Sequence, residues 1–373
     1  RKLIMSYTGR YCQVKGLEEV TDLEEGMDFR HPKYRREVFF RFLEYQHKYK
    51  CHSGAVYYAL RGVVEEMKLT REQQYWFAFL NGCSQNIMTT FVIFNKFPDL
   101  HTLDIKELEK WFFANYDKIG WDTDRRYTKH KIIECVESYR KNLKDFDQET
   151  FFEKYICKYP DRGVNFERLW EKVTGDFHTF GRVAGFSYLR LLSVLGLNFE
   201  PRSLFMHNIN GSKSHRNGLC KVLGRDDLDW TRDNKSFVKY ERPTLDWLEE
   251  EGSVLFSEAK QRFSHPDLSL LTVESALCSF KGWFRKNRRY PGVYNDILHD
   301  RIKGAEKTWV GEADFSLFWK VRAKTLPDHM RVECNPKDPS YSKAKQNYFR
   351  ETGKIINMDK DWSCFKNDFY ENL

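Results

Sequence analysis

The chain has 373 residues, with 62 Lys and Arg against 54 Asp and Glu, a formal net charge of +8. Ten Trp, 20 Tyr and 30 Phe make it 16% aromatic, too large an apolar payload for a disordered chain, and 21 Gly with 10 Pro are too few for a collagen-like or low-complexity polymer. Apolar runs such as Tyr75–Leu80 fall far short of the roughly 20 residues of a membrane span, and the segment from Arg1 to Ser6 has no apolar signal core. A cytoplasmic protein with no membrane partner is the expectation.

Nine cysteines, an odd number with no CxxC pair, argue for reduced thiols rather than a secreted disulfide framework. His47, Cys51 and His52 cluster without a second Cys or His pair at ligand spacing, so no metal site is assigned. The chain has no GxxxxGK[ST], GxGxxG after a strand, HExxH or GxSxG, which disfavours the common nucleotide-binding, zinc-protease and esterase readings.

The periodicity is helical nearly throughout. Helices are predicted over about 33–49 and 53–68, the latter carrying Ala55, Val56, Ala59, Leu60, Val63, Val64 and Met67 on one face. Thr70 with Gln73 forms a capping box before a strongly apolar helix that the pattern carries on to Phe94. Next come about 104–115 and 128–144, the second marked by Ile132, Val136, Tyr139 and Leu143. Further helices are expected near 165–174, 178–196, 245–263, 271–286, 293–307 and 313–324. No alternating strand pattern is found, so the fold class is all-α, a multi-helix globular fold. Turn signals fall at Phe97–Asp99, Tyr159–Gly163, Asn208–Gly218 and Asn335–Pro339. They divide the chain into an N-terminal helical lobe, 1–160, a C-terminal lobe with a basic site, 161–334, and a polar appendage, 335–373.

Five constellations carry chemistry. Asn208–Gly218 reads as a glycine-flanked loop in which Ser212, Lys213, Ser214, His215 and Arg216 offer hydroxyl and cationic donors. Such a loop suits phosphate, or is simply a solvated basic loop. In the helix after Thr272, Glu274, Cys278, Lys281 and Arg285 share one face, and Val273, Leu277, Phe280 and Phe284 the apolar one. Lys281, Arg285, Lys286, Arg288 and Arg289 lie beside Trp283, Phe284 and Tyr290, cations for phosphates beside rings for bases, or else an ordinary charged helix face.

Asp124, beside Arg125, Arg126 and Lys129, is either a helix cap or a carboxylate held in a site. Gly181 and Gly185, bordered by Asp176 and Arg182, imply close helix packing or a ligand near the backbone. Asn81, Gln85, Asn86 and Thr89 stand on an apolar helix, where they join helices by hydrogen bonds or read a pyrimidine edge.

At these residues the chain resembles the bacteriophage amino acid:DNA transferases, also called alpha-glutamyl/putrescinyl-thymine pyrophosphorylases. The resembling segments are Lys50–Tyr58, Phe79–Gly82 with Gln85 and Asn86, Gly120–Tyr127, Phe180–Arg182, Ser214–Leu219, Glu274–Cys278 with Lys281, and Arg289–Asp296. Tyr290-Pro291-Gly292-Val293-Tyr294 stands where members carry a Tyr-Leu-Gly-Tyr-Tyr-like sequence.

The resemblance implies an all-helical fold distantly similar to helix-hairpin-helix DNA glycosylases. It also implies a step in thymidine hypermodification in an infected bacterial cell. The substrates would be double-stranded phage DNA bearing an activated, pyrophosphorylated hydroxymethyluracil and a free amino acid or polyamine, with pyrophosphate released. No cofactor is certain, and Mg2+ is left open as an aid. Glu274, Asp124, Asp176 and Asp296 are the candidate bases. Ser212–Arg216 and Lys281 would hold the pyrophosphate, and Arg125 or Arg182 the donor's carboxylate. Asn81, Gln85, Tyr57, Tyr290 and Tyr294 would contact the substrate base. Arg285, Lys286, Arg288 and Arg289 would bind DNA. The alternatives are a non-catalytic helical DNA-binding protein and a glycosylase-like enzyme acting on a modified base.

Overall fold

The computed structural model describes residues 32–49, 54–144, 147–156, 158–207, 214–229, 241–282 and 297–325. Its regular structure is helical, and no strand occurs among the described residues. Two compact units divide the chain: residues up to Ala55 with Ser203–Asp300 form one, and Val56–Arg202 with Arg301–Thr325 form the other. These boundaries leave the Tyr159–Gly163 turn inside the second unit.

In the second unit, α2 (Gly54–Glu66) begins the described chain and α3 (Arg71–Ser84) is its buried centre. The capping box expected at Thr70 forms, its side chain accepting from Gln73 N while Gln73 reaches back to the Thr70 amide. The apolar run does not continue as one helix to Phe94. Gln85 turns left-handed at φ 49°, and Asn86 starts α4 (Ile87–Lys96) by accepting from the amides of Met88 and Thr89. An Asn side chain that satisfies two orphan amides favours a new helix start over continuation.

Phe79 holds the surrounding helices. Its ring stacks on Tyr139 of α6 (Ile132–Leu143) with centroids 3.9 Å apart, and on Phe180 at 5.5 Å. The 128–144 helix is split: a 3-10 segment, Thr123–Lys131, precedes α6, whose Ile132, Val136, Tyr139 and Leu143 are buried as their spacing predicts. The segments α5 (Ile105–Ala114), α7 (Gln148–Ile156), α8 (Arg162–Asp176) and α9 (Arg182–Val194) complete its central layers. The helix over 148–156 was not foreseen. Gly185 lies inside α9, where an added Cβ would stand 2.7 Å from Thr174 Cγ2, so close packing accounts for it.

In the first unit α1 (Pro32–Tyr49), α11 (Arg242–Arg262) and α12 (Leu270–Gly282) surround α10 (Ser214–Val222), with Phe39 of α1 edge-on to Phe280 of α12 at 5.5 Å. The residues from Ser214 to Gly218 are therefore helical, which corrects the loop expected there. Gly218 is a packing residue: a Cβ built on it would lie 2.1 Å from the Leu277 carbonyl oxygen. Two helix backbones meet at that point, a separation only glycine permits. The remaining helices are α13 (Ile297–Thr308), whose residues from Arg301 on belong to the second unit, and α14 (Ser316–Thr325) in the second unit. Among the described residues no helix is long and apolar enough to cross a membrane.

Two glycine substitutions test this account in opposite directions. Gly218→Ala should cost about 3 kcal/mol or more, because the obstacle is backbone that cannot rotate away. Gly304→Ala, on α13 with nothing within 4 Å of the added carbon, should gain up to about 1 kcal/mol of helix propensity. Urea denaturation of both variants measures the two changes.

Candidate functional site

The tight α10–α12 contact places chemistry on both helices. His215 lies one turn before Gly218, and Glu274 one turn before Leu277. Their side chains meet, His215 Nδ1 3.5 Å from Glu274 Oε1, with side-chain exposures of 0% and 5%. Glu274 and Cys278 are spaced four apart on α12, so both project from one face. A ring nitrogen of His215, a carboxylate oxygen of Glu274 and Cys278 Sγ all lie within 4.8 Å of one another. This donor set can pass a proton between imidazole and carboxylate, and its mixed N, O and S character also suits a zinc-type cation. No metal ligands were assigned from the sequence, because the three residues are far apart in the chain. The Glu-x3-Cys spacing on one predicted helix was the only signal available.

The neighbouring residues are built into the same packing. Arg216 is fully buried, and its Nη1 donates to the Met206 carbonyl at 3.1 Å. Ser214 and Lys281 are half-buried. The far end of α10 is tied by charge. Arg35, buried on α1, donates to both carboxylate oxygens of Asp226 at 2.8 and 3.1 Å. Lys221 on α10 reaches Asp226 at 2.7 Å and Asp229 at 3.0 Å. Burial by itself lifts the Asp226 carboxyl, but hydrogen bonds from Arg35 and Lys221 more than reverse this and hold it below its ordinary value. Burial, with Asp229 nearby, pushes the Cys220 thiol up to about 12, so it is an inert core group at neutral pH.

The second unit holds the other sequence-predicted residues. Arg125 is 2% exposed, and its guanidinium is engaged by the Cys83 carbonyl at 2.9 Å and by Thr179 O and Oγ1 at 2.8 and 2.9 Å. It fastens the 3-10 segment to the end of α3 and to the turn before α9. Asp124 is exposed and accepts from Thr123 Oγ1 at 3.1 Å. The same hydroxyl, whose single proton serves one acceptor at a time, also reaches Gln85 Oε1, so Asp124 and Gln85 are brought together. Asn81 is buried and accepts from Thr90 Oγ1 at 3.3 Å, the helix-joining role among its two readings.

Asp176 ends α8, pairs with Lys172, and lines an open groove of about 1030 Å³ with Glu134, Glu137, Lys141 and His178. Arg182 opens α9, its guanidinium 5.1 Å from the Phe186 ring centre and 5.7 Å from that of Trp170. Tyr57 is half-buried on α2 and faces Arg190. One cluster escaped sequence reasoning because its members are scattered. Cys135 Sγ lies 3.2 Å from Thr179 Oγ1. Hydrogen bonding with Cys83 lowers the Cys135 thiol below its ordinary value.

Ser212, Lys213, Arg285, Lys286, Arg288, Arg289, Tyr290, Tyr294 and Asp296 lie outside the described residues, as do Cys51 and His52 of the weak metal cluster. The remaining member, His47, is buried, with Nδ1 2.7 Å from the Leu43 carbonyl oxygen.

The molecule is thus an all-helical protein with a buried acid–imidazole pair on two glycine-packed helices. Residues 55–289 match the family model described as amino acid:DNA transferase, a span covering more than half of the chain and including Glu274, His215, Tyr57 and the 281–289 basic run. The chain belongs to this family, and is an enzyme that transfers amino acids to DNA. A serinyltransferase of Salmonella phage ViI is 28% identical over 356 residues, covering 90% of this chain and 85% of that protein. No solved structure matches the chain.

The Asp226 linkage has a measurable sign. Because its folded-state pKa is depressed, its contribution to stability is present at neutral pH. It disappears as pH falls through the ordinary carboxylate range to the lowered value. Asp226→Asn should be less stable than the wild type at neutral pH, and the gap should close on acidification. Denaturation midpoints compared at neutral and acid pH measure it.

Proposed function

We propose that the enzyme replaces the pyrophosphate of a 5-(pyrophosphoryloxymethyl)uracil in DNA with an amino acid or amine. In this reaction the donor's nucleophilic atom bonds to the exocyclic methylene carbon. The carbon–oxygen bond to pyrophosphate breaks with its electron pair, and the donor's proton passes to a base on the protein. Membership of the amino acid:DNA transferases supports the reading, and the observation that carries it is the buried contact between Glu274 and His215.

A carboxylate withdrawn from water beside an imidazole is a suitable proton acceptor, with the imidazole positioned to share the charge. Pyrophosphate departure calls for donors aimed at developing negative charge. Ser212, Lys213, Ser214, His215 and Arg216, with Lys281, are the residues proposed to meet it. Asp124, Asp176 and Asp296 stand behind Glu274 as further candidate bases. Arg285, Lys286, Arg288 and Arg289 are proposed to bind the DNA backbone. The modified base must leave the stack to be reached, and Tyr57, Asn81, Gln85, Tyr290 and Tyr294 are proposed to receive it. Arg182 and Arg125 are proposed as contacts of the donor. The relative from phage ViI is named a serinyltransferase, so serine is the first donor to try.

The assay incubates the full chain with duplex DNA carrying pyrophosphorylated hydroxymethyluracil and a mixture of serine, glycine, glutamate and putrescine. Nucleosides are then analysed by mass spectrometry. An adduct formed with stoichiometric pyrophosphate is the expected result; abasic sites, or unchanged nucleosides with tight DNA binding, would refute it. Glu274→Gln should lose at least about 100-fold in rate, the usual worth of a general base, while still binding DNA. Retained activity would remove Glu274 from the proton path. Arg288→Ala with Arg289→Ala should weaken DNA binding and lower the slope of log affinity against log salt by roughly 2, about one per phosphate contact.

A further inference from the structure

Arg190 on α9 is 3% exposed. Its Nε and Nη2 are both buried and have no hydrogen-bond partner. Among the described residues no carboxylate pairs with it, and its guanidinium instead faces the Tyr57 ring, 5.6 Å from the centroid. A guanidinium keeps its charge at any pH a folded protein meets. Burying that charge unpaired costs several kcal/mol, a cost tolerated only where something compensates it.

Two other buried arginines of this protein, Arg35 and Arg125, show what ordinary compensation looks like. Arg35 has the Asp226 carboxylate, and Arg125 has two carbonyls and a hydroxyl. One turn beyond Arg190, the last carbonyls of α9 are taken by other cations: Arg61 donates to Val194 O at 3.0 Å and Arg71 to Leu195 O at 2.8 Å. Those carbonyls are therefore already satisfied from elsewhere.

We propose that Arg190, with Tyr57 beneath it, is the binding site for the carboxylate of the amino acid donor. The two orphaned nitrogens decide the chemical class. Nε–H and Nη2–H lie along one edge of the guanidinium and point the same way, the edge that receives both oxygens of a carboxylate in a bidentate pair. The near-complete burial restricts the ligand to a small oxyanion. The ring of Tyr57 offers a flat apolar wall and spreads the cation's field when the ligand is absent. This assignment rests on the reading of the protein as an amino acid:DNA transferase. It adds a donor-carboxylate site distinct from Arg125, which is engaged by two carbonyls and the Thr179 hydroxyl, and from Arg182.

The test uses the full chain and Arg190→Met, which keeps the side chain's length and removes the charge. Thermal shifts are measured with serine, with ethanolamine, which is serine without its carboxylate, and with inorganic phosphate. Serine should stabilise the wild type and leave Arg190→Met unmoved, and ethanolamine should move neither. The apo variant should melt no lower than the wild type, because an unpaired buried charge has been exchanged for an apolar chain. Phosphate stabilising the wild type where serine does not would assign the site to a phosphate group and overturn the carboxylate. An apo variant that melts well below the wild type, with the serine shift intact, would make Arg190 a structural cation and overturn it as well.

In the transfer assay, Arg190→Met should raise KM for serine by about 10- to 100-fold, the worth of hydrogen bonds to a charged group, with KM for ethanolamine unchanged. Equal losses for both donors would also refute the proposal. The thermal-shift arm needs no turnover, so it separates failure of this site from failure of the proposed reaction.

Discussion

The first unit depends on one close approach, that of the Gly218 backbone to the Leu277 carbonyl. Any side chain at 218 would hold α10 and α12 farther apart. Brought to backbone contact, the helices place His215 and Glu274, each one turn earlier in the chain, within reach of each other. Two polar groups that alone would be costly to bury thereby gain a partner. The ion cluster of Arg35, Lys221, Asp226 and Asp229 fixes the other end of α10. The helix is thus held at its middle by packing and at its end by charge, while its first turn carries His215.

The second unit is organised by aromatic rings instead. Phe79 has rings of α6, α9 and the turn between α8 and α9 around it, and Gly82 leaves room for Tyr188 to lie against α3. Much of this was legible in the sequence, because burial of one helical face imposes its period on the residues. Ile132, Val136, Tyr139 and Leu143, and the Thr70–Gln73 cap, follow directly from that rule. The family resemblance was legible for a different reason, since it lies in polar segments such as Glu274–Cys278 that packing alone does not dictate.

What escaped reading has physical causes. Periodicity cannot show a break inside a helix that is apolar on most sides, so the left-handed Gln85 and the new start at Asn86 were invisible. Glycine is ambiguous in sequence: at 218 it was taken as freedom to turn, whereas its use is the absence of a side chain between two helices. Glu274 shares a face with Lys281 in the sequence, and whether that face is an ordinary charged one or part of a site stays open there; it is buried, because its partner comes from a helix that was itself read as a loop. One mistaken element concealed the central contact of the candidate site.

The buried arginines separate structure from function by the same accounting. A guanidinium has five donors and a charge that cannot be shed, so every buried one demands acceptors. Arg125 spends its donors on carbonyls and Thr179, and so serves as a fastener between segments distant in sequence. Arg35 spends its own on Asp226, fastening α1 to the turn after α10. In each case the acceptor is part of the fold, and the folded chain is complete without a ligand. Arg190 has no such acceptor at Nε or Nη2. Stability alone would favour a methionine or leucine there, which is why we propose that its acceptor is supplied by a bound substrate. The same logic does not extend to Glu274, whose imidazole neighbour is internal; there the folded state itself holds the two side chains together.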